Sequence, residues 1–261
     1  MKIAAAQISC SLGDLDANLR KIDNFSARAK KAGAELVAFP EMTDTGYSMP
    51  IIQKCATNWK DGAVPQIQKI ASNRSIAIVC GVSEREGNAI YNSQVVVDSA
   101  GTIVAKYRKI HLFGVPPNDE TKCFSPGKDL GDFEYNDLHF GLSICYDLRF
   151  PEIYRKLVLD RSVNAFVISS AWPFPRLHHF RYLALARAIE NQSYVIAVNR
   201  VGVDDGVACC GSSAIIDPYG VLLAAASPDR EELLHAELSA DLVNSVRSRI
   251  NILADRRPDL Y

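Results

Sequence analysis

The stretch LHFGLSICYDLRFPE, residues 138–152, runs an apolar segment straight into a cysteine and a cluster of charges. Its first half reads as a buried strand that ends at Cys145. Its second half opens a helix, RFPEIYRKLVLDR (149–161). A second strand, VNAFVISSAW (163–172), a helix, RLHHFRYLALARAIENQ (176–192), and a third strand, YVIAVNRVG (194–202), follow in turn. Strand, helix, strand at this spacing is the signature of an α/β layered fold.

The same alternation opens the chain. KIAAAQIS (2–9) reads as a buried strand, and LDANLRKIDNFSARAKKAGA (15–34) as an amphipathic helix stopped at Gly33. ELVAFPE (35–41) is a second strand, and the helical AVPQIQKIASNRS (63–75) leads into the strand IAIVCGVSE (76–84). NAIYNSQVVVDSAGTIVAKYRK (88–109) alternates around the turn SAG and predicts a hairpin. Residues 111–129 form a Gly/Pro-rich loop, and short strands, GSSAIIDPYGVLLAAA (211–226) and ELLHAEL (232–238), precede a last helix near 241–250 and an extended tail, RRPDLY (256–261). Parallel-type alternation followed by hairpins favours a sheet-rich layered domain over a plain doubly wound sheet. Nothing resembling a linker or repeat divides the chain, which reads as one domain over 1–261.

Composition narrows the function. With 261 residues, 48% hydrophobic and 23% charged, the chain has ordinary globular character, and its net charge of −1 offers no general attraction to nucleic acid or anionic membrane. No apolar run approaches the ~20 residues of a membrane span. The N-terminal apolar run is interrupted at Gln7 and Ser9 and followed by Asp14 and Asp16, so it reads as a strand rather than a signal peptide, and a cytoplasmic location is expected. The seven cysteines, at 10, 55, 80, 123, 145, 209 and 210, show no C-x-x-C pairing and are expected to be mostly free thiols. Adjacent His178 and His179 point about 100° apart on a helix and make a poor ligand pair.

Three polar residues stand where a strand gives way to a loop: Glu41 in FPEMTDTGY (39–47), Lys109 in YRKIHLF (107–113) and Cys145. A thiol needs help to ionise at neutral pH; a carboxylate can take its proton and later activate water, and a lysine with a backbone N–H can stabilise an oxyanion. Together they suit acyl transfer from an amide or nitrile to water. Taken singly, each has a plainer reading: Cys145 as a core thiol, Glu41 as a turn residue, Lys109 as a solvated strand end.

In this order and spacing, FPEMTDTGY, YRKIHLF and GLSICYDLRFPE resemble the nitrilase superfamily of carbon–nitrogen hydrolases, and the resemblance continues through ARAIENQSYVIAVNRVG, GSSAIIDPYGVLLA and RRPDLY. It implies a four-layer α-β-β-α sandwich with a Glu-Lys-Cys triad: Cys145 as nucleophile, Glu41 as general base, Lys109 at the oxyanion. Glu120, in NDETKCFSPG, matches a second glutamate that would orient the lysine or assist proton transfer; its plainer reading is a surface acid of the loop. The resemblance also implies no cofactor and no metal, a small-molecule amide substrate, and assembly as a homodimer or higher homo-oligomer. The Tyr146 N–H is a candidate oxyanion donor. True nitrilases usually continue the cysteine with Trp-Glu; Tyr146-Asp147 looks more like the amidase branches, which include ω-amidases and amidases of deaminated glutathione. Substrates of these branches carry a carboxylate, so an arginine should face the pocket, and Arg149 and Arg176 are the candidates. Trp172, Tyr47 and Phe113 are candidate pocket walls. Related amidases often place Asn before Trp-Pro where this chain has Ala171. Hydrolysis of N-carbamoyl compounds, a catalytically silent binding protein of the same fold, and a thiol redox protein stand as alternatives.

Overall fold

The six residues of KIAAAQ are buried from Ile3 onward, with no polar face left for water, which marks a strand covered on both sides. The computed structural model describes residues 1–260. Its strands are β1 (Lys2–Gln7), β2 (Leu36–Ala38), β3 (Ala77–Glu86), β4 (Ala89–Val97), β5 (Ile103–Arg108), β6 (Gly131–Tyr135), β7 (Leu138–Ile144), β8 (Ala165–Ser170), β9 (Tyr194–Asn199), β10 (Val203–Asp204), β11 (Val207–Ala208), β12 (Ala214–Ile216), β13 (Leu222–Ala225) and β14 (Glu232–Glu237). Its helices are α1 (Leu15–Lys31), α2 (Met49–Cys55), α3 (Ala63–Arg74), α4 (Pro151–Arg161), α5 (Leu177–Asn191) and α6 (Ala240–Arg249).

The strands form two six-stranded sheets, in the orders β14-β1-β2-β3-β4-β5 and β13-β12-β9-β8-β7-β6, with β10 and β11 pairing apart. Each sheet has three parallel strands (β1–β3, β7–β9) flanked by antiparallel ones. Side-chain alternation sorts the first sheet's two faces. Ile3, Ala5, Leu36, Ala38, Val79 and Val96 meet the second sheet, whose Phe140, Leu142 and Val167 belong to the same core. Ala4, Val37, Phe39, Ile78 and Val95 point the other way, onto Ile22, Phe25 and Ala29 of α1 and Ile67 and Ala71 of α3. Each fully buried Ile or Phe contributes about 1.5–3 kcal/mol. On the far side, Tyr154 and Leu157 of α4 and Phe180 and Ala184 of α5 cover the second sheet. The expected α-β-β-α sandwich is what forms.

The expected hairpin of β4 and β5 is present, and α1 ends as expected, with Gly33 at φ +86° just beyond it; at its start Asp14 accepts from the Ala17 N–H. Three local expectations change. The helix expected from Arg149 is split, with a 3₁₀ turn over Cys145–Arg149, an extended Phe150, and α4 only from Pro151. Proline disfavours the α conformation in the residue before it, so Phe150 breaks the run. Between the long loop and β7, GDFEY forms a further strand, β6, antiparallel to β7. The tail expected to be extended instead turns over Arg257–Leu260, where the Leu260 N–H donates to the Arg257 carbonyl and Arg257 pairs with Asp259; Tyr261 lies outside the described residues. Pro258 sits at the second position of that turn, which its fixed φ favours. No helix among the described residues is long and apolar enough to cross a membrane.

Candidate active site

The three strand ends converge. β2 delivers Glu41, β5 delivers Lys109 and β7 delivers Cys145, so the first two ride on one sheet and the third on the other. Past β2 the chain turns tightly: the Thr43 N–H donates to the Gly81 carbonyl (2.9 Å) and the Gly81 N–H to the Pro40 carbonyl (3.1 Å). A Cβ at Gly81 would lie 2.6 Å from the Glu41 Cα and 2.4 Å from the Pro40 oxygen, so only glycine lets β3 pass this close beneath Glu41.

Lys109 is wholly buried, and its Nζ donates to Glu41 Oε1 (2.9 Å) and to Glu120 Oε1 (2.8 Å), both carboxylates being buried as well. Asn92 on β4 donates to the same two oxygens, at 2.6 and 3.0 Å. The other oxygen of Glu41 accepts from the Ala171 N–H (2.7 Å). Glu120, far from being a surface acid of its loop, also accepts from the Tyr47 hydroxyl (2.7 Å) and, through Oε2, from the Phe113 N–H (2.7 Å). Every carboxylate oxygen therefore has a donor, the condition under which buried charges are tolerated.

Cys145 sits at the turn from β7 with φ +44°, a left-handed conformation that costs a non-glycine residue energy and persists only where its surroundings enforce it. Burial, and then the negative charge of Glu41, push its thiol well above the ordinary value, with Lys109 working the other way. Burial likewise raises the Glu41 carboxyl, against the pull of Lys109. For Lys109, burial opposes the charge, yet Glu120 and Glu41 outweigh it and hold the ammonium above the ordinary lysine value. The resting arrangement is thus an uncharged thiol beside a carboxyl of raised basicity, with a firmly protonated lysine behind both.

Cys145 lines a cavity of about 220 Å³ together with Tyr47, Phe113, Tyr146, Arg149, Trp172 and Arg176, so all six candidate binding residues meet there. Glu41, Lys109 and Glu120 are sealed beneath it. Arg149 pairs with neither Asp147 nor Glu152; its guanidinium lies over the Trp172 ring (4.7 Å) and against His179 (3.3 Å). Burial lowers its pKa, with a further push from the like charge of Arg176. Arg176 lies over the Phe113 ring at 5.1 Å, and its carbonyl accepts from the Trp172 indole N–H. Trp172 is both core and wall. Arg187 and Glu190 form the structural pair expected of them (2.8 Å).

Sequence reasoning missed Asn92, although three consecutive polar residues, Asn92-Ser93-Gln94, inside a buried strand were the available signal. It also missed that Ala171 holds Glu41 through its backbone, a role invisible in residue type. Val115, Pro116, Pro117 and Asn118, which also line the cavity, sit in the loop that was legible only as a loop.

Known proteins resemble the chain over its whole length. The family model described as carbon-nitrogen hydrolase matches residues 2–248. A 2-oxoglutaramate amidase of Bacillus subtilis (strain 168) is 35% identical over 260 residues, covering 99% of this chain and 98% of that protein. An omega-amidase of Saccharomyces cerevisiae is 30% identical, covering 100% of this chain and 94% of that protein. Among solved structures, an amidase of Nesterenkonia sp. AN1 matches with a TM-score of 0.88 at 28% identity, covering 100% of this chain and 98% of that one. A mutant of that amidase, matching with a TM-score of 0.88 at 27% identity and covering 100% of this chain and 95% of that one, shows covalent addition of the acetamide moiety of fluoroacetamide at its active site cysteine. On a matched family model spanning nearly all its length, this chain belongs to the carbon–nitrogen hydrolase family.

Proposed function

We propose that the protein is an amidase that hydrolyses the C–N bond of a small, linear amide carrying a carboxylate, as an ω-amidase does, through a thioester on Cys145. The observation that carries this reading is the buried Lys109 bridge between Glu41 and Glu120 beneath a cavity floored by Cys145. The names of the relatives support the substrate class.

On this reading Cys145 Sγ attacks the amide carbonyl carbon while Glu41 takes the thiol proton, which avoids building a free thiolate in a site that disfavours it. The Lys109 ammonium and the Tyr146 N–H receive the oxyanion. Glu41 returns its proton to the departing nitrogen, ammonia leaves, and a thioester remains. Water deprotonated by Glu41 then releases the acid and restores the thiol. Glu120, Asn92 and the Ala171 N–H hold the lysine and the base in place.

Substrate recognition follows from charge. Among the described residues no acid lines the cavity, yet two guanidinium groups do. A substrate carboxylate entering the cavity meets both of them, those of Arg149 and Arg176, in its lining. A charge-assisted hydrogen bond to arginine is worth about 1.5–3 kcal/mol, or roughly 10- to 150-fold. Arg149→Gln and Arg176→Gln are therefore each expected to cut kcat/KM for carboxylate-bearing amides by roughly 10- to 100-fold and leave a neutral aliphatic amide within about threefold. Equal losses on both substrate types would remove the arginines from recognition.

The raised Glu41 carboxyl predicts the pH profile. The base works only when ionised, so activity is lost as pH falls through its raised pKa. The acid limb of kcat/KM should lie above the ~4.3 of an ordinary glutamate. A limb at or below that value would contradict the assignment.

The same reading makes residues 1–261 a single catalytic domain that acts in the cytoplasm as a homodimer or higher homo-oligomer, which light scattering on the purified protein tests. Ammonia release across 2-oxoglutaramate, deaminated glutathione, glutamine, aliphatic amides, a nitrile and a carbamoyl compound tests the activity itself. Turnover of the 2-oxo amide is expected. Carbon dioxide from the carbamoyl compound, with no amide turned over, would point to N-carbamoyl hydrolysis instead.

A further inference from the structure

Lys109 and Cys145 belong to different sheets, and among the described residues no backbone hydrogen bond joins segment 107–111 to segment 143–149. One side chain does. Asp147, completely buried, accepts three hydrogen bonds and shares a fourth with the His111 ring. Oδ2 takes the Tyr107 hydroxyl (2.7 Å) and the Ile144 N–H (3.0 Å). Oδ1 takes the His111 N–H (3.0 Å) and the His111 Nδ1 (2.8 Å). Tyr107 and His111 stand two residues either side of Lys109, and Ile144 immediately precedes Cys145. The carboxylate therefore grips the lysine segment on both flanks and the nucleophile turn at its start. A second contact runs the same way: the His111 ring stacks on Phe150, at the end of that turn, with centroids 3.6 Å apart.

We propose that Asp147 is a positioning residue that sets Cys145 against Lys109 across the boundary between the sheets, with Tyr107 and His111 as its clasps. The inference rests on the assignment of Cys145 and Lys109 made above. Neither Asp147 nor its clasps needs to touch substrate. Their effect passes through the left-handed turn at Cys145, which requires outside support, and through the spacing of thiol and ammonium, where a displacement of about 1 Å can cost roughly 100-fold in rate. Asparagine at 147 would turn one accepting oxygen into a donor that faces a backbone N–H, of Ile144 or of His111, so at least that bond must be lost.

The test compares Asp147→Asn, Tyr107→Phe and His111→Ala with the wild type in three measurements: kcat and KM for the preferred amide, the pH profile of Cys145 alkylation by iodoacetamide, and the melting temperature. Expected are a roughly 100-fold fall in kcat for Asp147→Asn and about tenfold for each clasp variant, KM within about threefold, and a shifted alkylation profile as the thiol leaves the field of Lys109. Should Asp147→Asn fail to fold, the two clasp variants decide. Lower melting temperatures with kcat and the alkylation profile unchanged would reduce Asp147 to a structural role and overturn the proposal. Were the wild type to release ammonia from no amide, the enzymatic reading would fall, while the alkylation profiles would still decide whether Asp147 sets thiol against lysine.

Discussion

Cys145→Ala is expected to abolish amide turnover, by at least about 10⁵-fold, while the protein keeps its fold. The reasoning is chemical. Without the sulfur no thioester forms, and the remaining groups can only polarise an amide and activate water from a position arranged for a different attack. The substitution should be structurally mild. Cys145 borders an open cavity, so losing Sγ adds to existing space rather than creating a sealed void, and the Glu41–Lys109–Glu120 contacts do not pass through it. Ammonia release and a melting curve check both halves. Cys145→Ser should be nearly as inactive, because a hydroxyl is a far weaker nucleophile than a thiol. Full turnover by the alanine variant would remove Cys145 from the reaction.

Glu41→Gln carries the next largest effect. The amide side chain has nearly the shape of the carboxylate, and its oxygen can keep the two bonds that Lys109 and Asn92 now make to Oε1, while the Ala171 N–H loses its acceptor and no proton can be taken up. General base catalysis is worth about 10²–10⁴-fold, and in the proposed mechanism Glu41 serves in both half-reactions, so kcat/KM should fall by roughly 10³- to 10⁴-fold. The acid limb assigned to Glu41 should vanish from the residual activity. Because Glu41 raises the thiol pKa, its neutralisation should also bring Cys145 alkylation to lower pH. A residual profile with the wild-type acid limb would mean that another group is the base. Lys109 is a poorer target for such a test, since removing it strands two buried carboxylates, a change that typically destabilises by about 3–5 kcal/mol.

What was legible in the sequence was carried by short-range signals. Apolar runs that stop at Glu41, Lys109 and Cys145 located the strand ends, and motif order identified the family. Glu120 could be placed only by resemblance, because nothing local distinguishes a buried acid in a Gly/Pro-rich loop from an exposed one. Asn92, the Ala171 N–H and Asp147 were not read as parts of the site. Their roles depend on partners 28 to 130 residues away, and such pairings arise from sheet stacking, which leaves no periodic trace. The interrupted helix at Phe150 is a different kind of miss. Pro151 announced it, and the steric rule for the residue before proline outweighed the helical pattern on either side. That interruption matters to the site, because it leaves Arg149 at the end of a short 3₁₀ turn beside Trp172 rather than on the flank of α4.

The thioester itself can be sought directly. The protein is mixed with a slowly hydrolysed carboxylate-bearing amide, quenched in acid within the steady state, and digested for peptide mass spectrometry. The peptide containing residues 143–152 should gain the mass of the substrate acyl group at Cys145, and the adduct should disappear on treatment with hydroxylamine. An acyl group on any of the other six cysteines, or turnover with no acyl-enzyme under conditions where the second step is limiting, would contradict the assignment of Cys145 as nucleophile.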